Sequence, residues 1–313
     1  MLGKTAGGLL WMFRYLERSE NIARLVETGQ RIALTRPDRA ENEWLSVLET
    51  AGARQGFEAE HDEVSAEAVT DWLLRAEGNS SSVMNCIEMA RMNARMVRTA
   101  LTREVWEAVN ECWMTLRDEL ARKVTTKRLP HVLGVVRQRS AFVRGTLHGT
   151  MLRNEIYDFA RLGTFLERAD ATARLLDVKY YVLLPTSAGI GSRLDNAQWE
   201  TILRSVSAEG AFRMVHGRTR GPGDIARFLI LDGRMPRSLA FCYNKIGGNL
   251  EYLQRDHGVR MPCHDLSDDI CRKLERATIE SIFEEGLHEF LQDFLTLNSG
   301  LAAQIERDYR FVE

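Results

Sequence analysis

The sequence has little proline, only 6 of its 313 residues. Proline breaks helices because it lacks a backbone N–H and clashes with the preceding turn. Its scarcity over long stretches rich in leucine, alanine, arginine and glutamate favours long helices. No alternating run is long enough to indicate a sheet, and the most strand-like runs are the short ones at 132–136 and 180–184. The sequence therefore predicts an all-α fold.

Cysteine and histidine are present without the spacing of a disulfide or metal site. The 5 cysteines are an odd number and include no Cys-x-x-Cys pair, which argues against a disulfide framework and a structural zinc site. Cys263, His264 and Cys271 lack the usual zinc spacing. None of the 7 histidines has a His-x-x-x-His partner. We expect buried, reduced thiols, no metal and no cofactor.

The common motifs of nucleotide-binding and hydrolytic enzymes are also missing. There is no Walker loop and no Gly-x-Ser-x-Gly elbow. The Gly189-x-Gly191 pair, within residues 185–192, follows no predicted strand and lacks the full phosphate-loop fingerprint. We interpret it as a plain loop.

The chain lacks a strong net charge and a long apolar run. Its formal net charge of −2 argues against a general nucleic-acid or anionic-membrane binder. No run approaches the roughly 20 apolar residues of a membrane helix. The apolar run from Leu9 to Phe13 is too short for a signal peptide, and Arg14 follows it. We expect a cytoplasmic protein that binds neither nucleic acid nor membrane.

What the sequence does contain is an internal repeat. The segment from Tyr15 to Leu25 returns as Phe165 to Leu175, with Leu, Glu, Arg, Ala, Arg and Leu in register. A shift of about 150 residues is too long for a solenoid and indicates a duplicated half. Other corresponding pairs are Trp44 and Trp199, Cys86 and Cys242, and Asn93 and Asn249.

We therefore predict a single compact helical domain over residues 1–313. It is built from two pseudo-symmetric halves, at about 1–155 and 156–313, that share one core. The apolar arcs of both repeated helices are wide, so neither half could bury its own repeated helix alone.

The first repeated helix, predicted from about Thr5 to Ala33, places Arg14, Glu17, Asn21 and Arg24 on a narrow stripe opposite a wide apolar arc. Arg18 lies instead at the edge of that arc. An unpaired buried guanidinium is strongly destabilising, so Arg18 needs a partner from another helix.

Glu167, Arg168 and Arg174 reproduce this arrangement in the second half. Two interpretations stay open. In the structural one, i,i+4 neighbours such as Glu20 and Arg24 only solvate a helix, or the two repeated helices satisfy each other through crossed Glu–Arg pairs. In the functional one, a buried polar cleft uses arginine forks to clamp a carboxylate or phosphate.

A basic stripe occurs in only one half. It consists of Glu88, Arg91, Arg95 and Arg98, with Asn93 nearby, and its counterparts are Asn244, Gly247, Glu251 and Gln254. Duplicated scaffolds commonly carry function where the symmetry breaks, and the alternative is a solvated charge stripe. Arg153, just before the second repeat, is a further candidate.

The segment from Leu10 to Asn21, Leu-Trp-Met-Phe-Arg-Tyr-Leu-Glu-Arg-Ser-Glu-Asn, resembles the opening signature of the alpha-E family. Residues 90–98, Ala-Arg-Met-Asn-Ala-Arg-Met-Val-Arg, resemble its central segment, although an acid is expected where this chain has Met92. Residues 162–170 resemble its second Glu-Arg segment. The resemblance spans the whole chain and implies an all-helical domain.

The resemblance also implies a genomic and physical link to circularly permuted ATP-grasp proteins. Transglutaminase-like proteins and a proteasome-related peptidase are further frequent neighbours of such domains. ATP-grasp enzymes make amide bonds through acyl phosphates, so the resemblance implies a role in peptide or amino-acid ligation. It carries over no catalytic residue.

Our leading hypothesis is an accessory or substrate-binding subunit for such a ligase, with a carboxylate- or phosphate-bearing small molecule or peptide as ligand and a homo-oligomer left open. The rival hypotheses are an independent enzyme using Glu17 or Glu167 as general acid/base, which requires a raised pKa, and a purely structural scaffold. The candidate ligand-binding residues are Glu17, Arg18, Asn21, Arg24, Arg91, Asn93, Arg95, Arg153, Glu167, Arg168 and Arg174.

Overall fold

The computed structural model describes residues 1–35, 40–183, 193–217 and 221–311. Within these ranges the chain is helical and contains no strand, which confirms the all-α prediction. The strand-like runs at 132–136 and 180–183 both lie inside helices. The predicted loop at 185–192 lies outside the described residues.

The chain divides into two compact units. The first comprises Met1–Glu167 with Tyr309–Glu313, and the second comprises Arg168–Asp308. The internal duplication, with halves at about 1–155 and 156–313, stays a prediction.

The first unit contains α1 (Gly3–Thr35), α2 (Ala40–Thr50), α3 (Arg54–Glu60), α4 (Ala66–Leu74), α5 (Val83–Met96), a 3-10 turn (Arg98–Ala100), α6 (Arg103–Glu119), α7 (Leu129–Thr150) and the start of α8 (Glu155–Leu183). Hydroxyl side chains cap the N-termini of three of these helices. Ser65, Ser82 and Thr102 accept hydrogen bonds from backbone N–H groups in the first turns of α4, α5 and α6. Each bond satisfies a donor that has no partner within its helix.

Helix α1 is the centre of the first unit. It packs against α5, α7, α2 and α4. Leu9, Met12, Leu16, Ala23 and Val26 are fully buried along its length. The wide apolar arc in the sequence predicts this burial, since a helix with apolar residues over most of its circumference must be enclosed by others.

The backbones of α1 and α8 approach each other closely at Gly163. A Cβ atom at this position would overlap the backbone carbonyl oxygen of Leu10. Glycine is therefore required by the close approach. Glu167 lies one helical turn beyond Gly163 on the same helix. The close approach at Gly163 therefore places Glu167 beside α1.

Helix α7 runs unbroken through Gly145 and Gly149. A glycine costs only about 1 kcal/mol relative to alanine inside a helix. Val143 and Leu147 are buried on the same stretch, and their burial outweighs this cost.

The second unit contains the rest of α8 and, in chain order, α9 (Arg193–Ser205), α10 (Glu209–His216), α11 (Pro222–Leu231), α12 (Leu239–His257), α13 (Pro262–Arg276), α14 (Ile279–Glu285) and α15 (Leu287–Asp308). Helix α12 packs against α13 and α11, and α13 packs against α15. Tyr243 is fully buried on α12 and donates its hydroxyl to Asn298 Oδ1 of α15 over 2.9 Å. No helix in the described ranges is long and apolar enough to cross a membrane.

Candidate functional site

Two arginines of α1 converge on one carboxylate of α8. Arg18 donates through Nε to Glu167 Oε1 over 2.5 Å and through Nη2 to Glu167 Oε2 over 3.1 Å. Arg14 donates through Nε to Glu167 Oε2 over 2.9 Å. Glu167 is buried, whereas the Arg18 side chain is 26% exposed. The prediction that Arg18 needs a partner from another helix is confirmed.

The charge of Glu167 follows from these contacts. Burial alone raises the pKa of its carboxyl, but the Arg18 and Arg14 guanidiniums outweigh that effect and the pKa lies below its ordinary value. Glu167 is therefore ionised at neutral pH. A general acid/base at this position needs the opposite shift.

Two further carboxylates lie on α1 itself. Glu17 and Glu20 are both fully buried, and Arg144 of α7 reaches both of them. The distance from Arg144 Nη1 to Glu17 Oε2 is 3.4 Å. Arg24 donates to Glu20 Oε1 through Nε over 2.9 Å and through Nη2 over 2.7 Å. The predicted Glu20–Arg24 neighbours are therefore an ion pair in a buried setting.

Arg144 and Arg14 are absent from the residues that we predicted for the site. Arg144 lies far along the chain from both carboxylates it binds, and no local pattern pairs it with them. The signal for Arg14 was present, because it shares the polar stripe with Glu17, Asn21 and Arg24. Asn21 is half-buried on α1, one turn after Glu17.

The Arg14 guanidinium is held on two sides. Glu167 accepts from its Nε, and the Trp11 ring lies 4.5 Å from its carbon Cζ. Within the described part of the chain, its two terminal nitrogens have no hydrogen-bond partner, and the side chain is 15% exposed. Two N–H groups in a fixed plane are the geometry that binds a carboxylate or phosphate.

The structure does not bring Arg91, Asn93 and Arg95 to these carboxylates. Arg91 donates to Asn110 Oδ1 of α6 over 2.9 Å, and its Cζ lies 4.0 Å from the centre of the Trp113 ring. Asn93 donates to the Met89 carbonyl of its own helix over 2.8 Å. Arg95 is exposed.

Arg153, Arg168 and Arg174 have separate surroundings. Arg153 donates to the carbonyls of Met151 and His148, over 2.8 and 2.6 Å. Arg168 donates to the Pro236 carbonyl over 3.3 Å. Arg174 pairs with Asp170 one turn before it, over 2.7 Å, with its side chain 44% exposed. Of the candidate residues, only Glu17, Arg18, Arg24 and Glu167 thus lie in the network of ion pairs described around α1.

The cysteines have the surroundings of structural thiols. Cys86 and Cys112 are buried, and burial raises the pKa of each thiol to about 12. Burial also raises the pKa of Cys271 to about 11. A thiol with a raised pKa has little thiolate and is a poor nucleophile. Among the described side chains, no group of three or more His, Cys, Asp or Glu is placed to hold a metal ion.

An all-helical fold whose central helix carries a Glu-Arg pair defines the class of protein. A family model described as an alpha-helical domain with a conserved ER motif matches residues 1–309. The chain belongs to this alpha-E family.

Curated relatives extend well beyond the matched region. An uncharacterized protein of Mycobacterium bovis and one of Mycobacterium tuberculosis are each 23% identical over 311 residues, covering 92% of this chain and 34% of the relative. A carbamoyl phosphate synthase large chain of Bifidobacterium animalis is 31% identical over 147 residues, 42% of this chain and 13% of that protein. The chain thus spans about a third of the length of the mycobacterial relatives. No solved structure matches it.

Proposed function

We propose that this alpha-E chain is a cytoplasmic accessory or substrate-binding subunit. It works with a circularly permuted ATP-grasp ligase in amide or peptide bond formation. Its ligand is a small molecule or peptide with a carboxylate or phosphate group, which it presents to the ligase.

The Arg14 guanidinium is the observation that carries this proposal. Glu167 and Trp11 hold it in place, while its terminal nitrogens have no hydrogen-bond partner among the described residues. Because the arginine is already ordered, little side-chain conformational entropy is lost when an anion binds to it. Amide-forming ligases take carboxylates and form phosphorylated intermediates, so an anion-binding fork fits a substrate-binding role.

The comparisons lend two further supports. Relatives about three times as long indicate that such a domain works joined to other domains. The Bifidobacterium relative is named for the synthesis of carbamoyl phosphate, which supports an association with phosphate-bearing reactants.

The test combines this protein with a circularly permuted ATP-grasp ligase from the same organism. Ligase turnover is measured with and without the alpha-E chain, and with its Arg14→Gln variant. Arg137→Gln is the matched control, because Arg137 also pairs with a glutamate, Glu27, within the same unit. We expect faster turnover with the wild type and with Arg137→Gln, and loss of the increase with Arg14→Gln.

Titration calorimetry of the alpha-E chain alone and of its Arg14→Gln variant, with inorganic phosphate and glutamate as probes, tests the anion site directly. Unchanged ligase turnover on adding the wild-type chain, together with failure of the two proteins to co-elute, would overturn the proposal.

A purely structural role for the Glu-Arg motif is the second candidate. The Arg18–Glu167 contacts favour it, since they join α1 to α8 at a buried carboxylate. In that case Arg14→Gln would lower the melting temperature and leave ligase turnover unaffected.

We further infer that the two halves, at about 1–155 and 156–313, arose by duplication. In the first, the Phe57 and His61 rings stack at 4.4 Å, with Trp72 edge-on to both. In the second, Phe212 and His216 stack at 4.6 Å. Phe228 is edge-on to both of them.

The capping residues and a helical asparagine repeat as well. Ser82 caps α5 as Ser238 caps α12. Asn93 and Asn249 each donate to the carbonyl four residues before them. A ring cluster, a cap and an internal hydrogen bond at matching intervals support one ancestral half.

A further inference from the structure

The exposed face of α5 and α6 has an unusual composition for a protein surface. We call it the α5–α6 face and define it by Arg91, Met92, Arg95, Met96, Trp113 and Met114, together with Arg98 in the 3-10 turn that follows α5. Met92, Met96 and Met114 are 55%, 60% and 46% exposed. Protein interfaces are enriched in methionine, arginine and aromatic residues relative to the remaining surface. Methionine also adapts its shape to a partner, because its side chain is flexible and polarizable.

The positive charge of this face is not neutralised locally. Within the described part of the chain, Arg91, Arg95 and Arg98 form no ion pair, whereas arginines such as Arg24 and Arg137 do. The nearest acid on the same stripe of α5, Glu88, accepts a hydrogen bond from Trp113 Nε1. Uncompensated arginines beside exposed apolar side chains favour a partner that brings carboxylates.

The Trp113 and Trp106 rings hold Arg91 and Arg98 in place. The Cζ atoms of Arg91 and Arg117 lie 4.0 and 4.6 Å from the centre of the Trp113 ring. Arg98 lies 5.3 Å from the Trp106 ring. Such cation–π contacts order the side chain and lower the entropy cost of binding.

The positions of these residues around α5 fit a helical partner. At about 100° per residue, Arg91 lies toward α6, Met92 and Met96 lie on the far flank, and Arg95 lies between them. Arg98 lies in the 3-10 turn after α5, against Trp106 of α6. A partner helix with apolar residues on one stripe and acids on the next would match both flanks.

We infer that the α5–α6 face is the docking surface for an acidic amphipathic helix of the ATP-grasp partner. Apolar side chains of that helix cover Met92, Met96 and Met114. Its carboxylates pair with Arg95 and Arg98. This inference rests on the proposed function and adds the surface through which the two proteins meet.

The second unit provides a matched control. The corresponding stripe on α12 has Gly247, Glu251 and Gln254 where the first unit has Arg91, Arg95 and Arg98. Arg255 is exposed near the end of α12, with its Cζ 4.6 Å from the Tyr252 ring, as Arg98 lies against Trp106. Reversing the charge of Arg255 therefore makes the same chemical change outside the proposed surface.

The experiment measures the dissociation constant (Kd) between the purified ATP-grasp protein and the full-length chain by biolayer interferometry. The variants are Arg95→Glu with Arg98→Glu, Met92→Gln with Met96→Gln, and Arg255→Glu. We expect each of the two double variants to raise Kd at least about tenfold, and Arg255→Glu to change it less than about twofold. The wild-type Kd should rise between about 0.05 and 0.5 M salt, since screening weakens exposed charge pairs.

Each alternative outcome has its own meaning. If the ligase binds the wild type and both double variants equally, the surface is wrong while the proposed function stands. If it does not bind the wild type at all, both proposals fall.

Two other occupants are tested with the same variants. Self-association by analytical ultracentrifugation that the Arg95→Glu and Arg98→Glu double variant abolishes, with unchanged ligase binding, would assign the face to a second copy and overturn the inference. Binding of a labelled single-stranded oligonucleotide, lost in the same variant with unchanged ligase binding, would overturn it too. Circular dichroism verifies that each variant is folded.

Discussion

The first unit contains two arginine-rich regions with opposite surroundings. Around α1, Arg14, Arg18 and Arg24 are mostly buried, and each contacts a buried carboxylate. On the α5–α6 face, Arg91 and Arg95 are half-buried or exposed and form no ion pair within the described residues. The residue type is the same, but its partners differ.

This difference separates two uses of arginine. A guanidinium enclosed with carboxylates joins helices, and its removal leaves an uncompensated charge in the interior. A guanidinium on an open surface contributes little to folding and is available to another molecule. The following variants are ordered from the largest expected effect on stability to the smallest.

Gly163→Ala tests whether the close approach of α1 and α8 stabilises the ion-paired region around α1. The added methyl group would overlap the Leu10 carbonyl, so the two helices must separate. We expect a loss of about 3 kcal/mol, at the upper end for overpacking. Gly134→Ala is the control, because a Cβ at Gly134 meets nothing within 4 Å. Urea unfolding measures both, and equal stability of the two variants would contradict the close approach.

Arg18→Ala removes the main partner of Glu167. We expect a loss of about 2–3 kcal/mol, somewhat below the range for a fully buried pair, because the Arg18 side chain is 26% exposed and Arg14 stays in place. Arg174→Ala breaks the more exposed pair with Asp170 and should cost less than about 1 kcal/mol. Equal melting temperatures for both variants would show that burial does not distinguish the two pairs.

Glu167→Gln tests how the stability of the same region depends on pH. The pKa of Glu167 is lower in the folded chain than its ordinary value of 4.5, so its ion pairs stabilise the fold above that pH. This contribution is lost as pH falls through the folded value. We expect Glu167→Gln to be about 2 kcal/mol less stable than wild type at neutral pH, with the gap closing below about pH 4.5. Denaturant melts across pH measure it, and a constant gap would be inconsistent with an ionised Glu167.

Arg91→Ala and Arg95→Ala test the arginines of the α5–α6 face. Arg91 contacts Trp113 and Asn110, so its removal should cost about 1 kcal/mol. Removal of Arg95 should change stability by less than about 0.5 kcal/mol. Thermal melts distinguish these values, and an early melt of Arg95→Ala would show that the basic stripe stabilises the fold.

Sequence reasoning succeeded where the information is local. The apolar arc of α1 and the need of Arg18 for a partner on another helix both follow from residues within a few turns of each other. Helical periodicity fixes which side of a helix must be enclosed, so these features need no knowledge of the remaining chain.

The pairing of Glu17 and Glu20 with Arg144 could not be predicted in the same way. Arg144 lies on a different helix from Glu17 and Glu20, and only tertiary packing brings the three together. The stripe of Arg91 and Arg95 was visible in the sequence, but its place away from the Glu-Arg motif depends on how α5 packs between α1 and α6. The helical course of α7 through Gly145 also follows from burial rather than from local propensity.

The enclosed thiols make this chain convenient for chemical labelling. Cys86 and Cys112 are buried with a pKa of about 12, and the more accessible Cys271 has a pKa of about 11, so these three react slowly with maleimide near neutral pH. Cys242 and Cys263 are buried and shielded from the reagent. A thiol introduced by Arg95→Cys would lie on the surface and react first. A fluorophore or spin label could then be attached at one defined point, without first removing the native cysteines.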